Sequence, residues 1–187
     1  MKKVFSALLC VLVISIGGIV LYSRAYTITN DKKQLVDSIK QFSDDPTMID
    51  SNISIKQELN LDNKKYVLFL KNFYLGEAEL TKGLNNKYKI KTIGYDSGFF
   101  REEICKTNKG KYLILKGENF DGKIAYAKVL LDNKQYKISI PHQEYFVVYC
   151  SVPIETERVF LDTNDIKFYD INNVDITSEM YKLFFSI

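Results

Sequence analysis

QYKISIPHQEYFVVYCS, residues 135–151, decides how this chain is read. Its first part alternates. Tyr136, Ile138 and Ile140 fall on one face of an extended chain, and Lys137 and Ser139 fall on the other. That pattern predicts a strand with one wet face. The second part is apolar on both faces: Phe146, Val148 and Cys150 on one, Tyr145, Val147 and Tyr149 on the other. It predicts a central strand with Val148 buried. Pro141 and Pro153 bracket it, where a missing N–H does little harm to a ladder. His142, the only histidine, stands at the entrance beside Gln143 and Glu144. Eight extended steps of ~3.4 Å hold His142 and Cys150 roughly 27 Å apart. A thiolate–imidazole pair needs contact within about 3 Å, so the two do not form one.

The same grammar runs outward from this stretch. Runs rich in Tyr, Phe, Ile and Val, separated by short polar turns, predict strands over 53–59, 65–74, 77–81, 87–93, 99–106, 111–117, 123–131, 135–140, 144–151, 158–161 and 166–169. One turn phrase recurs as LDNKKY from Leu61, LNNKYK from Leu84, TNKGKY from Thr107 and LDNKQY from Leu131. Asn and Asp tolerate left-handed backbone and bond their own main chain, so the phrase reads as shared hairpin chemistry. Lys87, Lys89 and Lys91 alternate onto one face, which predicts a wet side. Ahead of the strands, Leu35, Val36, Ile39 and Phe42 recur at helical spacing. They predict an amphipathic helix over 31–42, capped by Thr29, Asn30 or Asp31 and ended by Ser43-Asp44-Asp45-Pro46.

The first 25 residues differ in kind. Lys2 and Lys3 precede Val4–Tyr22, which carries no charge. A helix of that length spans roughly 28 Å, close to the ~30 Å core of a bilayer. The expectation is a transmembrane signal anchor over 1–25, with the body (26–187) extracytoplasmic. The alternative is a cleaved signal peptide, processed after Ala25 to release a secreted body. Three of the 26 basic residues, Lys2, Lys3 and Arg24, belong to this segment, so the body balances 23 basic against 23 acidic residues. A neutral body lacks the basic excess that nucleic-acid binding requires.

Catalytic and metal signatures are weak. GYDSG (94–98) has Tyr95 where a nucleophile elbow needs glycine, and reads as a turn. Glu102 and Glu103 are adjacent and point to opposite faces of a strand. One histidine and two body cysteines do not build a standard zinc cage, so no cofactor is expected. Asp162, Asn164, Asp165 and Asp170 begin like a calcium loop, but Ile166 and Lys167 break it; turn chemistry explains them better. Cys105 and Cys150 are the candidates for a disulfide, which would close about 46 residues and contribute roughly 4 kcal/mol in the chain-entropy model. The other reading is two small buried side chains.

GLNNKYKI, KGKYLILKG, IAYAKVLLD and YKISIPHQEYFVVYC, within Gly76–Cys150, resemble small membrane-anchored envelope proteins of Gram-positive bacteria. The resemblance implies a location and no catalytic residue. The expected fold is mainly β, an antiparallel sandwich or partly closed barrel with one leading amphipathic helix; the alternative is α+β, with the helix across a curved sheet. The expected function is a non-enzymatic binding module, held at the membrane by the N-terminal helix and facing a protein or cell-wall partner. The alternatives are an envelope hydrolase using carboxylates from separate strands, and a structural partner docking by a sheet edge or by the helix.

Overall fold

A computed structural model of the chain describes residues 2–43 and 47–185. The side chains of residues 2–10, 163 and 183–185 lie outside that description, as do Asp44, Asp45 and Pro46 of the predicted helix stop. Helix α1 (Lys2–Ala25) leads into α2 (Lys32–Phe42) and a single turn, α3 (Thr47–Asp50). Strands β1 (Ile53–Leu61), β2 (Lys64–Lys71), β3 (Tyr74–Lys82) and β4 (Tyr88–Asp96) follow as an antiparallel meander. Then come β5 (Phe100–Lys106), β6 (Lys111–Glu118), β7 (Tyr126–Leu131), β8 (Lys134–Ser139), β9 (Tyr145–Val152), β10 (Ile166–Tyr169) and α4 (Thr177–Phe185). They make two more antiparallel sheets, ordered β5-β6-β9 and β10-β7-β8. The chain is thus mainly β with a few helices.

The three sheets stack, and the alternation of each strand assigns its two faces. In the meander, Val67, Phe69, Ala78 and Leu80 face Leu35 and Ile39 of α2 and Met48 of α3. Asp31 caps α2, its carboxylate accepting from the Gln34 N–H at 2.7 Å. Gly76 lies beneath the Phe69 ring, where a Cβ would meet the ring at 2.3 Å. The opposite face of the meander carries Tyr66 and Leu68. It packs on β6 and β9 through Ile114, Tyr145 and Val147, with Cys105 of β5. The far face of β5-β6-β9 carries Leu113, Leu115 and Phe146. It packs on Ala127, Val129, Ile138 and Phe168 of the third sheet, with Met180 of α4.

Several expectations need correction. The run 65–74 is not one strand: Asn72, at φ 54°, reverses the chain into β3. Gly94–Asp96 belongs to β4, so the turn after it is confined to residues 97–99. Residues 158–161 form no ladder; one bond, from the Ile104 N–H to the Val159 carbonyl at 2.8 Å, lays them along β5. Residues 123–125 precede β7 rather than joining it. β9 is an edge strand and β6 is the central one, because the third sheet stacks on this one instead of extending it. Phe146 is therefore fully buried while Val148 is only half-buried.

The recurring turn phrase has a tertiary use. It forms the β1–β2, β3–β4, β5–β6 and β7–β8 turns, with Asp62, Asn86, Asp132 and Asn133 all at positive φ. The first three meet at one end of the molecule. Thr107 donates to Asp62 at 2.5 Å, the Asn108 N–H to the Asn63 side chain at 3.0 Å, and the Lys82 N–H to the Asn63 carbonyl at 2.8 Å.

α1 is a 24-residue helix. The anchor expectation over Val4–Tyr22 falls partly on residues 2–10, whose side chains lie outside the described residues. Among the described residues no helix is long and apolar enough to cross a membrane.

Candidate functional site

A cleft of about 610 Å³ opens between the loop before β7 and the start of α4. Ile124, Ala125, Ile140, Ile171 and Ile176 line it, and His142, Asp170, Lys123 and Glu179 stand at its rim. Asn119 braces its wall from behind, where it lines a neighbouring cleft. This side chain is fully buried, yet every polar atom on it is used. Its amide donates to the carbonyls of Ile124 (3.0 Å) and Pro141 (3.3 Å), and its oxygen accepts from the Ile124 N–H at 2.8 Å. It ties the Phe120–Gly122 turn to the Pro141–Glu144 turn. In that turn Asp121 (φ 55°) and Gly122 (φ 67°) bring the backbone against His142, and a Cβ on Gly122 would meet the imidazole at 2.3 Å.

His142 is exposed, as expected, and its Nδ1 lies 3.0 Å from the Gly122 carbonyl. Residues 142–144 form a bend ahead of β9, which begins at Tyr145 instead of the predicted Glu144. The ring walls both the main cleft and a neighbouring one of about 400 Å³ lined by Glu118, Asn119 and Glu144. The rim charges already have partners. Lys123 and Glu179 pair at 2.7 Å, and the Asp170 carboxylate accepts from the N–H groups of Asn172 and Val174. What the cleft still offers is apolar surface.

The two cysteines do not pair, and the register gives the reason. Cys105 lies opposite Tyr112 of β6, and Cys150 lies opposite Leu113. Tyr112 and Leu113 point to opposite faces, so the thiols sit on opposite sides of the sheet, two strands apart. Neighbouring strands are ~4.8 Å apart, and bridged Cα atoms lie within about 7 Å. Both thiols are free. Burial pushes the Cys150 thiol up to about 11 and the Cys105 thiol up as well, the reverse of an activated nucleophile.

Asp162 and Asp165 hold the turn before β10, with a reciprocal capping box. The Arg158 guanidinium reaches both, at 3.1 and 2.7 Å, and supplies the positive charge a calcium ion would bring. Asp170 caps a separate turn. Among the described residues no group of three metal-binding side chains forms.

Carboxylates do gather from separate strands. Glu77 and Glu79 of β3 and Glu103 of β5 line a cleft of about 510 Å³ between the first two sheets. Each is matched by cations. Lys116 of β6, almost wholly buried, bonds Glu77 and Glu103, the latter at 3.0 Å. Arg101 reaches Glu77 at 2.9 Å and also Asp96, and Lys64 reaches Glu79 at 2.6 Å. Burial opposes the charge on Glu77, but Lys116 and Arg101 outweigh it and lower its pKa. Burial, with Glu77 and Glu79 nearby, raises that of Glu103 despite Lys116. These side chains form an ionic seam joining two sheets. Glu102 points to the other face, as strand alternation requires. Neither Asn119 nor this seam was signalled by the sequence, because their partners come together only on folding. No family model, curated protein or solved structure matches the chain.

Proposed function

We propose that the chain is a single-pass cell-envelope protein, anchored by α1, whose extracytoplasmic β body binds a protein or wall component through the Asn119-braced cleft. The uncharged run Val4–Tyr22, continuous with helix α1, supports the location. One observation carries the binding reading: Ala125 and Ile171 stay open to solvent beside the buried Ile124, Ile140 and Ile176, while Lys123 and Glu179 are committed to each other and Asp170 to its own turn. Sites that bind apolar groups combine such a lining with a few fixed polar atoms. The converging carboxylates favour an enzyme less, since each is neutralised by Lys or Arg at contact distance.

The location is tested with a membrane-impermeant protease on intact cells. The body is expected to be digested while Lys2 and Lys3 stay protected. A body cut only after lysis reverses the orientation, and an N-terminus beginning at Tyr26 shows cleavage instead. Binding is tested with a photo-crosslinking residue in place of Ile171, which lines the cleft and is 83% exposed. An adduct is expected there that disappears when Ala125→Leu fills the cleft floor. The same residue at Phe73, 96% exposed and away from the cleft, should give none. Adducts that are equal at both positions, or insensitive to Ala125→Leu, sink the reading.

A further inference from the structure

We propose that the β3–β4 hairpin tip is a second membrane contact, with Leu84 inserted among lipids beside α1 and exposed lysines resting on anionic headgroups. This rests on the reading of α1 as the membrane anchor. The turn sequence KGLNNK, 82–87, places one large apolar side chain at the tip of an otherwise polar loop, and Leu84 is 91% exposed. The tip is nevertheless tied to the helix. The Leu84 N–H donates to the Tyr22 hydroxyl at 3.1 Å, and the Asn85 amide donates to the Tyr26 carbonyl at 3.0 Å. Tyr22 and Tyr26 stack at 4.7 Å, and the Tyr26 ring lies so close over Gly83 that a Cβ there would come within 2.6 Å of it.

The groove between tip and helix is lined by Ser15, Gly18, Ile19 and Tyr22, with Leu84 and Asn85 opposite. Ser15 to Tyr22 is about 10 Å of helical rise. All of it belongs to the uncharged run, so the hairpin reaches past Tyr22 along the segment that would enter the bilayer. At that depth interfacial elements bury their apolar side chains among lipids.

The charge around the tip fits the same occupant. Lys82 and Lys87 flank Leu84 and are exposed, as is Arg24 at the end of α1. The β5–β6 turn docked on this end adds exposed Lys106 and Lys109. Asp62, the acidic residue among these turns, is already committed to Thr107 and faces Lys109. A basic rim around one apolar residue, next to the helix proposed as the anchor, matches anionic headgroups over acyl chains.

The chain contains no tryptophan, so each substitution below supplies a sole reporter. Leu84→Trp, Leu21→Trp on the exposed side of α1 and Phe73→Trp at the opposite end of β3 are made in the full chain. They are reconstituted in phosphatidylcholine–phosphatidylglycerol vesicles with brominated acyl chains. The expected result is blue-shifted, strongly quenched emission from Leu84→Trp and Leu21→Trp, and red, unquenched emission from Phe73→Trp. If Leu21→Trp is quenched while Leu84→Trp behaves like Phe73→Trp, the tip stays in water and the proposal falls, with the anchor intact. If Leu21→Trp is also unquenched, the anchor reading fails and takes the proposal with it.

Discussion

Lys116→Met is expected to cost about 3–5 kcal/mol, the range for removing one partner of a buried ion pair. Lys116 is 1% exposed and lies between Glu77 and Glu103, at the interface of two sheets. Methionine preserves much of its length, so the loss is chiefly electrostatic. Two half-buried carboxylates are left with less compensation, and Glu103 loses the cation it pairs with among the described residues. Urea unfolding of the detergent-solubilised full chain, followed by circular dichroism, measures the cost.

The pH dependence separates charge from packing. Glu77 is held low by Lys116 and Arg101, so its contribution is present above its unfolded pKa and is lost as pH falls through the folded value. Glu103 is raised by burial, so the folded state binds more protons than the unfolded chain between the unfolded and the raised value. Its contribution to stability therefore declines as pH rises through that window. Without Lys116 both carboxyls move upward. The deficit of Lys116→Met should then shrink on acidification, as the stranded carboxylates take up protons. Adding Glu77→Gln and Glu103→Gln should recover most of the loss at neutral pH. A deficit that is flat with pH and untouched by the two amides would show that the seam acts through packing alone.

Asn119→Leu is the second large effect, on the order of 3 kcal/mol, because each buried polar group left unpaired costs about 1–3 kcal/mol. Leucine matches asparagine in size but cannot bond. It strands the Ile124 N–H and deprives the Ile124 carbonyl of its Asn119 donor, beside an Ile124 side chain that is itself fully buried, while the Pro141 carbonyl keeps the Gln143 N–H at 2.8 Å. The cost should appear in urea unfolding as a lower midpoint with an unchanged slope. Because the same bonds hold the cleft wall, the crosslink at position 171 should weaken even under conditions where the variant remains folded. Wild-type stability in Asn119→Leu would mean that water satisfies these groups and that the loop is not held as described.

Other residues show smaller consequences of the same architecture. Among the described residues the His142 side chain bonds the Gly122 carbonyl alone, so it marks the cleft without holding it. Val148 is half-buried on an edge strand, so a carboxylate there could turn toward water, whereas one at Phe146 could not.

What the sequence determined by itself is local. Alternation located the ten strands to within a few residues, apart from running β2 into β3 over 65–74 and adding a strand at 158–161 that does not form, because side-chain period is a property of the extended chain and needs no partner. Asp62, Asn86, Asp132 and Asn133 announced their turns because left-handed backbone favours those residues wherever they stand. Asp31 and the 3.6-residue spacing announced α2 in the same way. α4 was missed because its nine residues offer about two and a half turns of pattern. Only the tertiary structure decided which strands share a sheet, since strand order depends on contacts between residues far apart in the chain. That step put β9 at an edge, the two thiols on opposite faces, and Glu77 and Arg101 into one ionic seam with the buried Lys116. It also gave Asn119, an unremarkable residue before a turn, the carbonyls of Ile124 and Pro141 to hold. Pairings between distant residues are set by the free energy of the whole packed core, and no local pattern in the chain encodes them.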